Sequence, residues 1–305
     1  MNYTNILNQV SVLFLLILTG YFTRKFNLLN DEKTKTLSDI VLNLTLPALI
    51  ISSMQMDFSI SVLIKSGNFI LLSLIVYAVI FIFSITLPKL LKSNEKEIGV
   101  YKFSIMFSNV GFMGYPVVNA VFGKKALFYT AIYNLPFNLL IFTIGIMFLS
   151  KDIRLNKKII LNPGIISVLI GFTMFLFSIK LFTPIKMTID MIGSVTTPIS
   201  MMVIGSLLAK NKLNTIFTNW RIYIITFIRL FFVPFFIWII LKNIITDPLM
   251  LGISILISSM PVAANSAILA EEYEGNAELA SKVVFISTFF SIITIPIIVK
   301  LFITN

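Results

Sequence analysis

Ten segments of the sequence are apolar over the length needed to cross a lipid bilayer. A spanning helix needs about 20 mainly apolar residues. The chain is 57% hydrophobic and only 12% charged, whereas a soluble domain has about 25% charged residues. The connections are short and leave no room for a soluble domain. The sequence therefore predicts an all-α polytopic membrane protein with spans at 5–23, 37–56, 66–88, 101–122, 126–149, 161–179, 187–209, 221–241, 248–270 and 280–301.

The basic residues predict the orientation of these spans. Sixteen of the 24 lysine and arginine residues lie in or beside odd-numbered loops, seven lie in even-numbered loops or at the termini, and Arg229 lies within span 8. Because basic residues favour the cytoplasmic side, we expect cytoplasmic odd loops, extracytoplasmic termini and a multi-pass protein of the cell membrane. Topology also accounts for the net charge of +11, so a nucleic-acid partner is not expected.

Several chemistries lack their usual residues. Cysteine and histidine are absent, which removes thiolate chemistry and the commonest metal ligand. The sequence also has no GxxxxGK[ST] nucleotide-binding motif and no paired acids deep in a span. We expect no cofactor, no metal site and no enzymatic activity.

An internal repeat relates the two halves of the chain. The pattern K-x3-D-x7-P occurs in spans 2 and 7 at an offset of 151 residues, and one glycine pair in spans 1 and 6 shares that offset. The matched pairs are Lys35 and Lys186, Asp39 and Asp190, Pro47 and Pro198, and Gly20 and Gly171. Because five spans separate the copies, the second enters the membrane from the opposite side. This predicts a 5+5 inverted repeat, 1–150 and 151–305, as in many secondary transporters.

Spans 4 and 9 contain helix-breaking residues at corresponding places. SNVGFMGYPVVN (108–119) holds two glycines and a proline, and SSMPVAANSAILAEEY (258–273) holds a proline and small polar residues. Broken helices occur at membrane depth only where protein encloses them or they line a cavity, and a new helix N-terminus suits an anion. A simple packing kink is the alternative. The predicted carboxylate site, where the spans cross near the midplane, comprises Asn109, Gly111, Gly114, Pro116, Pro261, Asn265 and Ser266.

Other polar residues within the spans have two open interpretations. Asn134 and Asn138 lie one turn apart around a proline in span 5, and polar residues in a membrane face the interior or a cavity. We expect them to face the site. Near the prolines of spans 2 and 7, amides and hydroxyls either satisfy freed carbonyls or contact the ligand. These supporting residues are Asn43, Pro47, Thr197 and Pro198.

Three ionisable residues lie inside the spans. Asp39 and Asp190 each follow a lysine by four residues, which favours an ion pair and leaves proton coupling or gating open. Arg229 lies near mid-span, where an ionisable residue is a functional candidate by default. It either attracts an anion or pairs with an acid or a helix end.

Three segments resemble the auxin efflux carrier family. They are LTLPALI (44–50), NVGFMGYPVVNAVFG (109–123) and MPVAANSAILAEEY (260–273). The family includes plant auxin carriers and bacterial transporters described as malate or malonate permeases. The resemblance implies ten helices, an inverted repeat, a scaffold beside a transport domain with an NhaA-like crossover of helices 4 and 9, and organic-anion transport, often as a homodimer. The family often has proline where this chain has Ser266.

The expected function is secondary transport of a small organic anion, either a dicarboxylate such as malate or malonate or an auxin-like acid. The carrier would work by alternating access, with H⁺ or Na⁺ as the coupling ion left open. The alternative is a cation/proton antiporter of NhaA-like fold. The absence of Asp and Glu from 108–119 and 258–270 counts against that alternative.

Overall fold

The computed structural model describes residues 3–150, 162–210, 219–273 and 275–303, and these residues form helices without strands. The helices are α1 (Tyr3–Lys25), α2 (Asp31–Ser53), α3 (Ile60–Leu91), α4 (Glu95–Met106), α5 (Val110–Phe122), α6 (Lys124–Tyr133), α7 (Leu135–Leu149), α8 (Pro163–Leu176), α9 (Thr183–Ala209), α10 (Trp220–Leu241), α11 (Pro248–Ser258), α12 (Ser266–Glu272) and α13 (Ala277–Ile303).

Length and composition identify the helices that can cross a membrane. Within the described residues α2, α3, α9, α10 and α13 qualify. The helices α6 and α7, which meet at a bend of 42°, form a sixth span if they are counted together as one. The helices α5, α8 and α11 are apolar but shorter. The all-helical, multi-pass prediction is therefore supported, while the count of ten spans stays a prediction.

Asparagine side chains cap the N-termini of several helices. The Asn30 side chain accepts a hydrogen bond from the Lys33 N–H at 2.9 Å, and the Asn94 side chain accepts one from the Glu97 N–H at 2.9 Å. Such caps satisfy N–H groups that have no partner within the helix. They fix where α2 and α4 begin.

Wide turns precede three of the prolines within helices. The π turns Val41–Thr45, Val110–Gly114 and Ile228–Phe232 each end two residues before Pro47, Pro116 or Pro234. A proline lacks an N–H and its ring collides with the carbonyl four residues earlier. A wider turn moves that carbonyl away, so the proline is accommodated with a local distortion.

The helices pack mainly in two groups. One group contains α1, α2, α8 and α9, and the other contains α3 to α7 and α10 to α13. Each group therefore draws helices from both halves of the chain. Within the first group α1 and α9 approach so closely that a Cβ at Gly205 would collide with the carbonyl oxygen of Ile17.

Large apolar side chains remain exposed on the outer faces of the helices. Leu15, Leu71, Phe227 and Ile293 are each more than half exposed. A lipid environment accepts such faces, whereas large exposed apolar patches are rare on soluble monomers.

Candidate functional site

The breaks in predicted spans 4 and 9 pair with each other. The first break lies between α4 and α5, and the second lies between α11 and α12. Ser108 and Val262 form an antiparallel bridge. The Asn109 N–H donates to the Pro261 carbonyl at 2.7 Å, and the Ala263 N–H donates to the Phe107 carbonyl at 3.1 Å. Backbone groups freed by each break thus find partners in the other, as an apolar environment requires.

Only one of the two polar atoms of the Asn109 side-chain amide has a hydrogen-bond partner among the described residues. Its Oδ1 accepts a hydrogen bond from the Phe112 N–H at 3.3 Å and so caps α5. Its Nδ2 is buried and has no hydrogen-bond partner among the described residues. A buried donor in this state is costly, and it is available to donate a hydrogen bond to a ligand oxygen.

A cavity of about 650 Å³ reaches Asn109. The buried side chains of Asn109 and Phe112 and the half-buried Asn265 line its inner part, and the exposed residues Asp31, Lys35, Asp39, Glu271 and Glu278 lie toward its mouth. The mouth residues adjoin the loops between α1 and α2 and between α12 and α13. In the numbering of the ten predicted spans these are loops 1 and 9. The cavity therefore opens on the side where odd-numbered loops lie, which the basic residues predict to be cytoplasmic.

Comparison with known proteins agrees with the motifs. Residues 5–299 match the family described as Membrane transport protein. The chain belongs to this family, the auxin efflux carrier family. The transporter is 27% identical to an uncharacterized transporter of Methanocaldococcus jannaschii over 300 residues, which cover 95% of this chain and 97% of the relative.

Two further relatives of this family member cover nearly the whole chain. An uncharacterized transporter of Methanothermobacter thermautotrophicus is 25% identical over 297 residues, 92% of this chain and 93% of the relative. A protein of Rhizobium meliloti named "Putative malonate transporter" is 24% identical over 301 residues, 92% of this chain and 91% of the relative.

The predicted residues of the second break lie at different depths in the transporter. Asn265 is half-buried and lines the cavity. Ser266 is buried, and its Oγ has no hydrogen-bond partner within the described part of the chain. Pro261 contributes its carbonyl to the pairing of the breaks. Asn265 is therefore the side chain of this break that a ligand in the cavity can reach.

The glycines and the proline of the first break act through packing. A Cβ at Gly114 would lie 3.0 Å from Ile257 Cδ1, and a Cβ at Gly111 would lie 3.7 Å from Leu42 Cδ2. Pro116 is buried in the first turn of Tyr115–Phe122, the α-helical part of α5 that follows its wide turn. These residues let α5 approach α11 and α2, and they do not line the cavity.

The predicted asparagines of span 5 lie outside the cavity. Asn134 is buried at the bend between α6 and α7, and both polar atoms of its amide have no hydrogen-bond partner among the described residues. Asn138 is half-buried near the first turn of α8, where a Cβ at Gly164 would lie 3.7 Å from Asn138 Nδ2.

The supporting residues near the prolines lie in or beside distorted turns and outside the cavity. The Asn43 side chain donates to the Asp39 carbonyl at 2.9 Å within the wide turn before Pro47. The helix α9 is interrupted at Val195, and Thr197 and Pro198 are half-buried in the first turn after this interruption. They do not line the cavity.

The two repeat-related aspartates have different surroundings. Asp39 lines the cavity and forms no ion pair within the described residues. Asp190 accepts hydrogen bonds from Ser52, from Lys124 at 2.7 Å and from Lys186 at 3.0 Å. The predicted pair of Asp190 with the lysine four residues earlier is confirmed. Sequence reasoning missed Lys124, because its contact depends on packing between α6 and α9.

Arg229 lies behind the paired breaks and does not line the cavity. Its Nε donates to the Met260 carbonyl at 3.1 Å and its Nη1 donates to the Ile105 carbonyl at 2.9 Å. Of the two interpretations of Arg229, the contact with helix ends is the one present in this structure.

Proposed function

We propose that this protein is a secondary carrier of a small organic anion, and that a substrate carboxylate accepts a hydrogen bond from the Asn109 Nδ2 group. The observation that carries the proposal is this buried donor, which has no partner among the described residues and lines a cavity of about 650 Å³. A carboxylate supplies only acceptors. A donor from Asn109 beside the N-terminal end of α5 therefore matches a carboxylate better than a cation.

The substrate class of the proposal is a dicarboxylate such as malate or malonate. Membership of the family and the name of the Rhizobium meliloti relative support this class. An auxin-like acid such as indole-3-acetate is the other organic anion that we propose to test. A 650 Å³ cavity lies within the range typical of small-molecule sites.

The proposed mechanism is alternating access between two packed groups of helices in a ten-span inverted repeat with an NhaA-like crossover. The cavity opens on one side, and the Lys124–Asp190 ion pair joins α6 to α9 near the opposite end of the helices. In this proposal the ion pair closes the extracytoplasmic side and breaks when the cavity opens there. A homodimer and H⁺ or Na⁺ coupling remain part of the proposal.

The second candidate is a cation/proton antiporter. The observation that favours it is the acidic mouth of the cavity, where Asp39, Glu271 and Glu278 lie. Against it, the Glu278 carboxylate is already paired with Lys282 at 2.6 Å. The described residues also contain no cluster of three or more acidic residues fit to hold a metal ion.

Uptake into proteoliposomes distinguishes the two functions. We expect saturable uptake of radiolabelled malate, malonate or indole-3-acetate, measured with and without a pH gradient and with and without Na⁺. Gradient dependence then identifies the coupling ion. Uptake of none of these acids, together with Na⁺ or H⁺ movement, would contradict the anion carrier and support the antiporter.

A further inference from the structure

Arg229 is a fully buried cation whose partners are backbone carbonyls. Its side chain is 0% exposed and is the largest among the fully buried residues of the described chain. It forms no ion pair with an acidic side chain in that part of the protein. An unpaired charge at membrane depth is expensive, so the source of its compensation needs an explanation.

The two carbonyls that Arg229 binds belong to two helix C-terminal ends. Ile105 lies in the last turn of α4, and Met260 lies two residues after the end of α11. In a continuous helix the Asn109 N–H would donate to Ile105, but here it donates to Pro261. Arg229 therefore satisfies a carbonyl that the break would leave free.

The positive charge of Arg229 matches the partial negative charges of the two helix ends that it contacts. A helix C-terminus carries the equivalent of about half a negative elementary charge. The ends of α4 and α11 together carry about one negative charge, which one guanidinium neutralises. The N-terminal end of α5, beside Asn109, has only a neutral amide as its cap.

We propose that Arg229 is a positioning residue that gives the cavity its preference for anions. It holds the Ile105 and Met260 carbonyls and cancels their negative field, so the positive end of α5 dominates the field at Asn109. This inference deepens the proposed function by assigning the origin of its charge selectivity. The charge balance itself requires no particular substrate.

The field at Asn109 can be measured without a substrate. The chain has no cysteine, so Asn109→Cys introduces a single thiol. Its rates of reaction with methanethiosulfonate reagents carrying a sulfonate or a trimethylammonium group give a ratio that reports the local potential. We expect Arg229→Gln, which keeps an N–H donor but no charge, to lower the anionic-to-cationic ratio roughly tenfold. Arg229→Lys keeps the charge and should keep the ratio.

Arg221→Gln is the matched control. Arg221 lies on the same helix and also donates to carbonyls at a helix C-terminal end, those of Leu91 at 3.0 Å and Lys92 at 3.4 Å. Its removal should leave the ratio at position 109 unchanged. An unchanged ratio in Arg229→Gln, or an equal fall in Arg221→Gln, would overturn the proposal.

A second comparison keeps the test decisive if Arg229→Gln does not fold. In a background with Arg229 intact and with Asp39→Asn, Glu271→Gln and Glu278→Gln to remove the acidic charges of the mouth, the thiol of Asn109→Cys should prefer the anionic reagent more strongly than a thiol at Ala277, which lines the cavity near its mouth. No difference between the two positions would also overturn the proposal.

The experiments distinguish a failure of the role proposed for Arg229 from a failure of the proposed carrier function. A ratio that depends on Arg229, with no binding of malate, malonate or indole-3-acetate, would support the role of Arg229 and reject the proposed substrates. Uptake of one of these acids with a ratio independent of Arg229 would support the carrier and reject the role of Arg229.

Discussion

At the scale of single residues, one polar atom of the Asn109 amide caps a helix and the other is available for the proposed substrate. Oδ1 caps α5, whereas Nδ2 has no partner among the described residues. Asn109→Asp keeps the capping oxygen but replaces the free donor with a charged acceptor. We expect the variant to fold and its affinity for the transported acid to fall by at least about tenfold, because a hydrogen bond to a charged group is lost.

Asn138→Asp is the matched control for this variant. Asn138 carries the same side chain within the membrane but lies outside the cavity. Substrate affinity measured by uptake kinetics should stay close to wild type in Asn138→Asp. Equal affinity of the Asn109→Asp and wild-type proteins would exclude Asn109 from the binding site.

Asp247 predicts a pH-dependent contribution to stability outside the membrane-spanning segments. Its carboxylate pairs with Lys65 at 2.5 Å and accepts hydrogen bonds from the Leu249 and Met250 N–H groups. Burial raises the pKa of Asp247, but the hydrogen bonds and the Lys65 charge outweigh burial and hold the pKa below its usual value. A lowered pKa stabilises the fold above the unfolded pKa of about 3.9. This stabilisation is lost as the pH falls through the lower folded value.

Asp247→Asn isolates this contribution, because asparagine also caps a helix. We expect a lower melting temperature than wild type at pH 7, with a difference that shrinks as the pH falls below about 4. Asp57→Asn is the control, because the Asp57–Lys180 pair is largely exposed and such pairs contribute little. A difference that does not vary with pH would contradict the assignment.

At the scale of helices, the sequence predicts both breaks and their proximity, but it does not predict which residues of one break bond to the other. Gly111, Gly114 and Pro116 indicate a disturbed span because their effect on a helix is local, and the break itself lies just before them, between Met106 and Val110. The bonds between 107–109 and 261–263 join backbone atoms, which every residue carries. No side-chain pattern in the sequence therefore identifies the residues that bond to each other.

The same limit applies to individual side chains. The partners of Arg229 are carbonyls, so the sequence left two roles open for it. Asn134 was expected to face the site, but it lies at a 42° bend and outside the cavity. A bend changes which face of a helix points inward, and hydrophobic periodicity does not give its angle.

The packing of α1 against α9 predicts opposite effects for two glycine substitutions. A Cβ at Gly205 would collide with the backbone of Ile17 in α1, whereas a Cβ at Gly67 in α3 would meet no atom within 4 Å. We expect Gly205→Ala to lower the melting temperature in detergent by separating the helices. Gly67→Ala should stabilise its helix by up to about 1 kcal/mol. Equal melting temperatures for the two variants would contradict the close packing.

At the scale of the whole molecule, the cavity and the Lys124–Asp190 ion pair lie toward opposite sides. The cavity mouth adjoins the α1–α2 and α12–α13 loops, whereas Lys124 begins α6 and Asp190 lies in the second turn of α9. The pair joins the two packed groups of helices. If one group moves against the other during transport, this contact has to break in each cycle.

Cross-linking tests that requirement in a chain without natural cysteine. We expect a short, cleavable thiol cross-linker between Lys124→Cys and Asp190→Cys to stop transport while malonate binding from the cavity side persists. Cleaving the linker should restore transport. The control pair is Lys65→Cys with Asp247→Cys, which replaces an ion pair within a single group of helices. If both cross-linked pairs stop transport, the linker acts by rigidifying the protein, and if neither does, the two groups move little at this contact. Only selective inhibition at Lys124 and Asp190 fits a gate between the groups.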